Sequence, residues 1–191
     1  MNTIGPMYTY QELALKDNDY ESYLLLHDQE DRLTALLKIS NLITSDEDYF
    51  RILGETIRLT DHYWNHSKVL YQLLESKFIE RDPLAIKFLM TFGDRIYFRN
   101  LAQNITVYRG CHEHNQFGFS WTLDIKIARQ YSVKVTDNRL TSRRKSVLET
   151  RSKVIMTEID KSIVYSYWGE KDEHEIFLNP LRLDYKKIIE I

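Results

Sequence analysis

Apolar residues in the first hundred positions recur three and four residues apart, the spacing of one helical face. The clearest positions of this series are Leu33, Leu36, Leu37, Ile39, Leu42, Tyr49, Phe50, Leu53 and Ile57. Ser45 followed by three acidic residues is typical of a helix start, because carboxylates suit the positive end of the helix dipole. Asp82-Pro83 predicts another start, and Gly93-Asp94 predicts the end of the last helix. We therefore expect a helical segment over residues 1–103.

After residue 104 the pattern changes to short runs rich in β-branched and aromatic residues. A helix beginning after Asp124 interrupts the series. The predicted strands are Ile105–Tyr108, Phe117–Thr122, Val154–Thr157, Ile163–Tyr165, Glu175–Leu178 and Tyr185–Ile191. The layout predicts an α+β protein in which the helical segment packs on a compact β-rich core over residues 104–191.

Composition restricts the class of protein. With 43% hydrophobic and 28% charged residues among 191, the chain is globular rather than disordered. It has no apolar run of about twenty residues, so no membrane span is expected. The N-terminus lacks the basic and apolar regions of a secretory signal. The single cysteine, Cys111, suits a reducing compartment, and we expect a cytoplasmic protein.

The net charge of −2 conceals an asymmetry. Residues 1–100 carry 11 Lys and Arg against 16 Asp and Glu, whereas residues 101–191 carry 15 against 12. Residues 137–153 contain six basic side chains and two acidic ones. The second part of the chain is thus the one suited to anionic ligands.

Glu173-His174-Glu175 is the first candidate for chemistry. On a strand, residues two apart project to the same face, so Glu173 and Glu175 should project together. Two carboxylates on one face repel each other, which makes such a pair unfavourable for stability alone. A solvated strand end remains the ordinary explanation for an isolated pair of this kind.

Two further motifs precede this pair along the chain. Tyr108-Arg109-Gly110 ends a β-rich run with an arginine and then a glycine, where the backbone could approach a ligand. In Phe119-Ser120-Trp121-Thr122, the hydroxyl residues Ser120 and Thr122 share a strand face, and a helix follows. Either motif alone is ordinary in a folded protein.

Taken in order, the three motifs resemble the arginine–serine–glutamate, cholera-toxin-like class of ADP-ribosyltransferases. That class carries an aromatic-Arg strand, then a strand with Ser-x-Ser/Thr followed by a helix, then a strand with Glu/Gln-x-Glu. The resemblance covers residues 104–191. Here the middle motif reads Ser-Trp-Thr rather than the commoner Ser-Thr-Ser.

The resemblance implies that the substrate is NAD and assigns a role to each motif residue. Glu175 would bind a ribose hydroxyl and stabilise the oxocarbenium-like transition state. Ser120 would orient Glu175 by a hydrogen bond. Arg109 would contact a phosphate of NAD, and Gly110 would offer backbone groups to the nicotinamide amide. Glu173 would orient or deprotonate the acceptor.

Further residues complete the expected site. By the same resemblance Thr122 contributes to NAD binding, and Arg143 or Arg144 would assist at the phosphates. The loop before Glu173 would read the acceptor. The aromatic residues in or beside it are Tyr165, Tyr167 and Trp168. No metal is expected, because Cys111-His112-Glu113-His114 lacks a second ligand group at zinc-site spacing.

The expected function is a mono-ADP-ribosyltransferase of the toxin or phage-effector type, restrained by an antitoxin or another inhibitory partner. The acceptor stays open between protein arginine, which the Glu-x-Glu pattern favours, and a base of single-stranded RNA or DNA. The basic stretch and the nearby aromatics favour the nucleic acid. An NAD glycohydrolase and a non-catalytic binding module with the same fold are the competing functions.

Overall fold

A computed structural model describes residues 9–60, 63–76, 81–112, 115–137, 152–169 and 173–191. The chain divides into two compact units, Met1–Leu89 and Met90–Ile191. The division falls before the boundary expected at residues 103/104, because the last helix of the helical region contacts the sheet. Mixed helix and sheet confirms the α+β class.

The first unit is helical. Its α-helices are α1 Tyr10–Lys16, α2 Tyr20–Leu25, α3 Arg32–Ile39, α4 Asp46–Leu59 and α5 Ser67–Tyr71. Short 3₁₀ segments span Gln29–Asp31, Tyr63–His66 and Pro83–Leu89, and a π-helical turn spans Gln72–Ser76. As predicted, Ser45 caps α4, and its Oγ accepts from the Asp48 N–H at 3.2 Å. Asp82-Pro83 begins a helix too, although it is a 3₁₀ helix.

Most of the predicted apolar series lies in the core of this unit, but Leu42 is 51% exposed and Leu37 is only partly buried. Its buried side chains include Leu33, Leu36, Ile39, Tyr49, Phe50, Leu53 and Ile57. α4 packs against the Pro83–Leu89 segment. Gly54 permits that approach, because a Cβ at this position would lie 2.5 Å from the Leu89 carbonyl oxygen.

The second unit begins with α6, Phe92–Asn100, which corrects one prediction. Gly93 and Asp94 lie in the first turn of this helix rather than at the end of the preceding one. Thr91 is the capping residue: its Oγ1 accepts from the Asp94 N–H at 3.2 Å and donates to the Asp94 carboxylate at 2.7 Å. A threonine cap with an acidic residue three positions later is a helix-start pattern that outweighs the glycine.

The rest of the second unit is a six-stranded sheet with one long helix on it. The strands are β1 Asn104–Cys111, β2 Ser120–Thr122, β3 Lys153–Asp160, β4 Val164–Trp168, β5 Glu175–Leu178 and β6 Ile189–Glu190. They lie in the order β4-β5-β2-β1-β3-β6, and every paired neighbour is antiparallel. Helix α7, Ile125–Asp137, follows β2 and contacts β1, β2 and β3.

The sheet buries one of its faces in a hydrophobic core. This core contains Val107, Trp121, Ile155 and Ile176.

The predicted strand Tyr185–Ile191 is mostly wrong, because only its last residues pair with β3, and Tyr185–Lys187 forms a 3₁₀ turn. No helix in the described part of the chain is long and apolar enough to cross a membrane.

Candidate functional site

Three motif residues line up across neighbouring strands. Tyr108 pairs with Thr122 between β1 and β2, and Thr122 pairs with Glu175 between β2 and β5. Directly paired residues project from the same face of a sheet, so these three side chains form one row, here named the Glu175 row. The row combines a carboxylate, a hydroxyl and an aromatic ring on the face opposite the Val107 and Trp121 core.

The prediction that Glu173 lies on the strand beside Glu175 is wrong. β5 begins at Glu175, and His174 has a φ of 46°, in the left-handed region that a strand residue does not adopt. Two bonds fix the segment instead. The Thr122 hydroxyl donates to the Glu173 carbonyl at 2.6 Å, and the Leu123 N–H donates to the His174 carbonyl at 3.1 Å. Glu173 is therefore held by a loop and Glu175 by the sheet.

Tyr131 of α7 interacts with both glutamates. Its hydroxyl is hydrogen-bonded to the Glu173 side chain and lies within electrostatic range of Glu175. Partial burial, the bond to Glu173 and the two negative charges raise the pKa of the Tyr131 phenol well above its ordinary value. The phenol thus stays neutral and donates to the carboxylate.

Sequence reasoning placed Tyr131 only on the helix behind the site. The spacing from Ala128, one turn earlier on the helix, is the sequence signal that could have identified Tyr131. Ala128 is fully buried, and its carbonyl lies where α7 meets β1. A residue three positions later on the same helix projects beside that contact.

Gly110 provides the room for this arrangement. A Cβ at Gly110 would lie 2.0 Å from the Ala128 carbonyl oxygen and 2.4 Å from the Ser132 backbone nitrogen. Only glycine lets α7 approach β1 so closely. The structure thus gives the glycine a packing role, whereas its contact with nicotinamide stays a prediction.

Arg109 projects from the other face of β1, where it pairs with Ile155. Its guanidinium donates to the Asn115 carbonyl, at 2.8 Å from Nη2 and 3.2 Å from Nε, and to the Ser120 carbonyl. A Cβ on Gly118 would lie 2.5 Å from Nη2. In this structure Arg109 therefore fixes the chain that leads into β2, and its contact with phosphate stays a prediction.

Thr122, rather than Ser120, is the hydroxyl residue that the sheet register sets opposite Glu175. Ser120 pairs with Phe177 and is half-buried, two residues along the strand from the Glu175 pair. Thr122, which was assigned to NAD binding, is the hydroxyl opposite Glu175. The Thr122 hydroxyl also accepts a hydrogen bond of 3.0 Å from the Asp124 N–H, at the start of α7. The residue that orients the glutamate segment is thus Thr122.

The three aromatic residues expected to contact the acceptor are buried. They lie on β4, with Tyr165 8%, Tyr167 2% and Trp168 3% exposed. The Tyr165 and Trp168 rings pack on Phe177, at centroid distances of 6.0 and 5.0 Å. They therefore support the sheet and present no ring face to an acceptor. Arg143 and Arg144 lie outside the described residues.

An exposed ring lies beside His174, on the core face of the sheet to which Tyr167 belongs. Tyr97 of α6 stacks on Tyr167, with centroids 4.4 Å apart and planes at 13°, and its centroid is 5.8 Å from that of His174. Tyr167 in turn shares a hydrogen bond of 2.7 Å with His174 Nδ1. Tyr97 is 42% exposed, and sequence reasoning missed it because the last helix was predicted to end at Gly93-Asp94.

The chain was compared with protein-family models, curated proteins and solved structures. None matches. The function must thus be inferred from the residues themselves and from their placement in the sheet.

Metal-ligating clusters, the cysteine and a cavity in the first unit are the other candidate sites of the molecule. Among the described residues, no group of three or more His, Cys, Asp and Glu side chains could hold a metal ion. Cys111 is buried within the core of the second unit, and this burial raises the pKa of its thiol. A cavity of about 540 Å³ lies in the first unit, beside the starts of α2 and α4, where Arg51 pairs with Asp48. It contains none of the motif residues, so the candidate site is the Glu175 row.

Proposed function

We propose that the protein is an NAD-dependent mono-ADP-ribosyltransferase that modifies a macromolecule. One observation carries the proposal: the sheet register sets Glu175 opposite Thr122, with Tyr108 one strand farther along the same row, and the Tyr131 phenol interacts with both Glu173 and Glu175. The order of the motifs along the chain is the second support.

The reaction breaks the bond between ribose C1′ and the nicotinamide nitrogen, and the electron pair leaves with nicotinamide. Positive charge develops on the ribose in the transition state. Glu175 is the carboxylate that stabilises this charge, since the sheet fixes its backbone before the substrate arrives. The ribose carbon then bonds to a nucleophilic atom of the acceptor, whose proton passes to Glu173.

The remaining residues position these two glutamates. Thr122 holds the Glu173 carbonyl, and Tyr131 holds the Glu173 side chain. Arg109 fixes the entry to β2 through the Ser120 carbonyl. The polar groups of the Glu175 row suit a ribose, because a carboxylate accepts from its hydroxyls and a hydroxyl serves as donor or acceptor.

The test uses the full chain with NAD labelled in its adenylate part and a cell extract. We expect release of nicotinamide and transfer of label, and Glu175→Gln should lower nicotinamide release by about 100-fold or more. The matched control is Glu158→Gln, an exposed glutamate on β3 of the same sheet. Circular dichroism checks that both variants fold.

Three results count against the proposal. Wild-type chain that neither cleaves NAD nor labels any component of the extract would leave the binding-module alternative. Glu175→Gln with full activity would remove the assigned glutamate. Free ADP-ribose as the sole product would make the protein an NAD glycohydrolase instead.

A further inference from the structure

Two side chains of α6, one helical turn apart, contact the strand and loop that lead to Glu173. Asp94 accepts from the Gly169 N–H at 3.0 Å, directly after β4 ends. Tyr97 stacks on Tyr167 of β4, with the ring centroids 4.4 Å apart. We name Asp94 and Tyr97 the α6 clamp.

Asp94 fixes the residue at which the loop begins. Its carboxylate is buried, and the two oxygens have different partners. Oδ2 accepts from the Thr91 hydroxyl at 2.7 Å within the helix start, whereas Oδ1 accepts from Gly169. A hydrogen bond to a charged acceptor is stronger than one between neutral groups. The helix start therefore holds the chain at Gly169.

Tyr97 acts at the other end of the loop, through His174. The two ring centroids lie 5.8 Å apart, and Tyr167, on which Tyr97 stacks, shares a hydrogen bond of 2.7 Å with His174 Nδ1. The φ of 46° at His174 is unfavourable for histidine and persists only where its surroundings hold it. These ring contacts therefore stabilise the backbone directly after Glu173.

The Glu173 loop is thus held from both faces of the sheet. Tyr131 of α7 bonds the Glu173 side chain, on the face where Gly110 lets α7 approach β1. Tyr97 lies with Tyr167 on the core face. The α6 clamp acts on Glu173 through its neighbours in the chain, so its role in the reaction is one of positioning.

We propose that the α6 clamp determines whether the ribose passes to the acceptor or to water, an inference that rests on the proposed transferase function. In both cases the bond between ribose C1′ and nicotinamide breaks, and nicotinamide leaves with the electron pair. With Glu173 in place, the acceptor atom bonds to C1′ and gives its proton to Glu173. With Glu173 displaced, a water oxygen bonds to C1′, its proton passes to solvent, and free ADP-ribose is the product.

The first test follows amide hydrogen exchange in the full chain and needs no substrate. Asp94→Ala should speed exchange of the Gly169 amide by about tenfold or more, relative to amides within β1 that report opening of the whole unit. Tyr97→Ala should do the same for the Leu123 amide, which donates to the His174 carbonyl. The matched controls Asp94→Asn and Tyr97→Phe keep an acceptor oxygen and a ring, and they should exchange as the wild type does. Unchanged exchange in either alanine variant would overturn the clamp.

The second test measures the ratio of free ADP-ribose to labelled acceptor, with labelled NAD and a cell extract. Tyr97→Ala should raise this ratio by about tenfold while nicotinamide release changes by less than about twofold, because Glu175 keeps its place in the sheet. Tyr97→Phe should retain the wild-type ratio, and Ile96→Ala, which shortens an exposed side chain of the same helix, should not alter it. An unchanged ratio in Tyr97→Ala would refute this role alone. A wild type that does not cleave NAD would refute the transferase and this role together.

Discussion

The two glutamates of the candidate site differ in how the chain holds them. Glu175 belongs to β5 and is fixed by its pairing with Thr122 and Trp168. Glu173 precedes the strand and depends on two side chains, Thr122 and Tyr131. At the scale of single residues, the structure therefore predicts that the two carboxylates respond to different substitutions.

Tyr131→Phe removes the hydroxyl and retains the ring. We expect labelling of the acceptor to fall by about tenfold, since a charge-assisted hydrogen bond of about 1.5–3 kcal/mol is lost at Glu173. Nicotinamide release should fall less, because Glu175 keeps its place in the sheet. Measuring the two rates separately checks this, with Tyr185→Phe, an exposed tyrosine in a surface turn, as the control. Equal loss in both rates would contradict the assignment.

Gly110→Ala tests whether this glycine serves packing. The added methyl would overlap the Ala128 carbonyl and force α7 away from β1, so we expect the free energy of unfolding to fall by about 1–3 kcal/mol or more. Urea unfolding followed by circular dichroism measures the change. Gly93→Ala is the control, since its nearest neighbour would be 4.0 Å away. A fully stable Gly110→Ala variant lacking activity would instead favour a contact with nicotinamide.

At the scale of elements, most strands could be predicted because their residues alternate or cluster in type. Glu175–Leu178 has its predicted bounds, and Ile105–Tyr108 lies inside β1. The error at Gly93-Asp94 arose because glycine commonly ends a helix, and this signal was preferred to the competing start pattern of Thr91 with Asp94 three residues later. Likewise Tyr185–Lys187 turns because Asp184 accepts from the Lys186 N–H, which sets a 3₁₀ turn.

The candidate site was predictable in its membership but only partly in its geometry. Glu175 and Thr122 meet because of a register between two strands 53 residues apart in the chain, and no local pattern fixes such a register. The left-handed backbone of His174 could not be predicted either, since only a few per cent of non-glycine residues adopt a positive φ and no glycine marks the position. Burial of Tyr167 and Trp168 depends on the order of strands in the sheet, with β4 next to β5.

The start of α4 gives a prediction on pH. The Asp82 N–H donates to the Asp46 carboxylate at 2.9 Å, and Arg81 pairs with it at 2.8 Å. Chiefly through the first bond, the pKa of Asp46 is held below its usual range. Its contribution to stability is therefore present above about pH 4 and is lost as the pH falls through the lowered value.

Asp46→Asn should thus lower the free energy of unfolding by about 1 kcal/mol at pH 7, given that the side chain is partly exposed. The difference between wild type and variant should narrow as the pH drops below about 4. Urea titrations at both pH values test this, with Glu47→Gln in the same helical turn as the control. A difference that persists undiminished at low pH would show that the carboxylate charge is not responsible.

At the scale of the whole molecule, the structural division sharpens the charge asymmetry. Residues 1–89 carry 9 Lys and Arg against 15 Asp and Glu, and residues 90–191 carry 17 against 13. The net charges of the two units are thus −6 and +4. The basic unit is the one that contains the Glu175 row, so its charge suits the phosphates of NAD.

This distribution predicts binding to a polyanion despite the overall negative charge. At pH 7 and low salt we expect the full chain to be retained on heparin, and elution should require less salt after Arg143→Gln and Arg144→Gln. Lys38→Gln and Lys68→Gln, in the acidic unit, form the control pair. Passage of the wild type through the column without retention would show that the local positive charge is not accessible.

The left-handed backbone at His174 has a consequence for how this protein can diversify. Most side chains are strained there, and glycine, asparagine and aspartate are tolerated best. Glycine at this position would release the bond to Tyr167 without straining the backbone, and it would leave Thr122 and Tyr131 to hold Glu173 while Glu175 stays in register. One substitution at this position thus separates a chain whose Glu173 loop is also fixed through His174 from a chain whose loop could accommodate differently shaped acceptors. The sheet that positions Glu175 is the same in both.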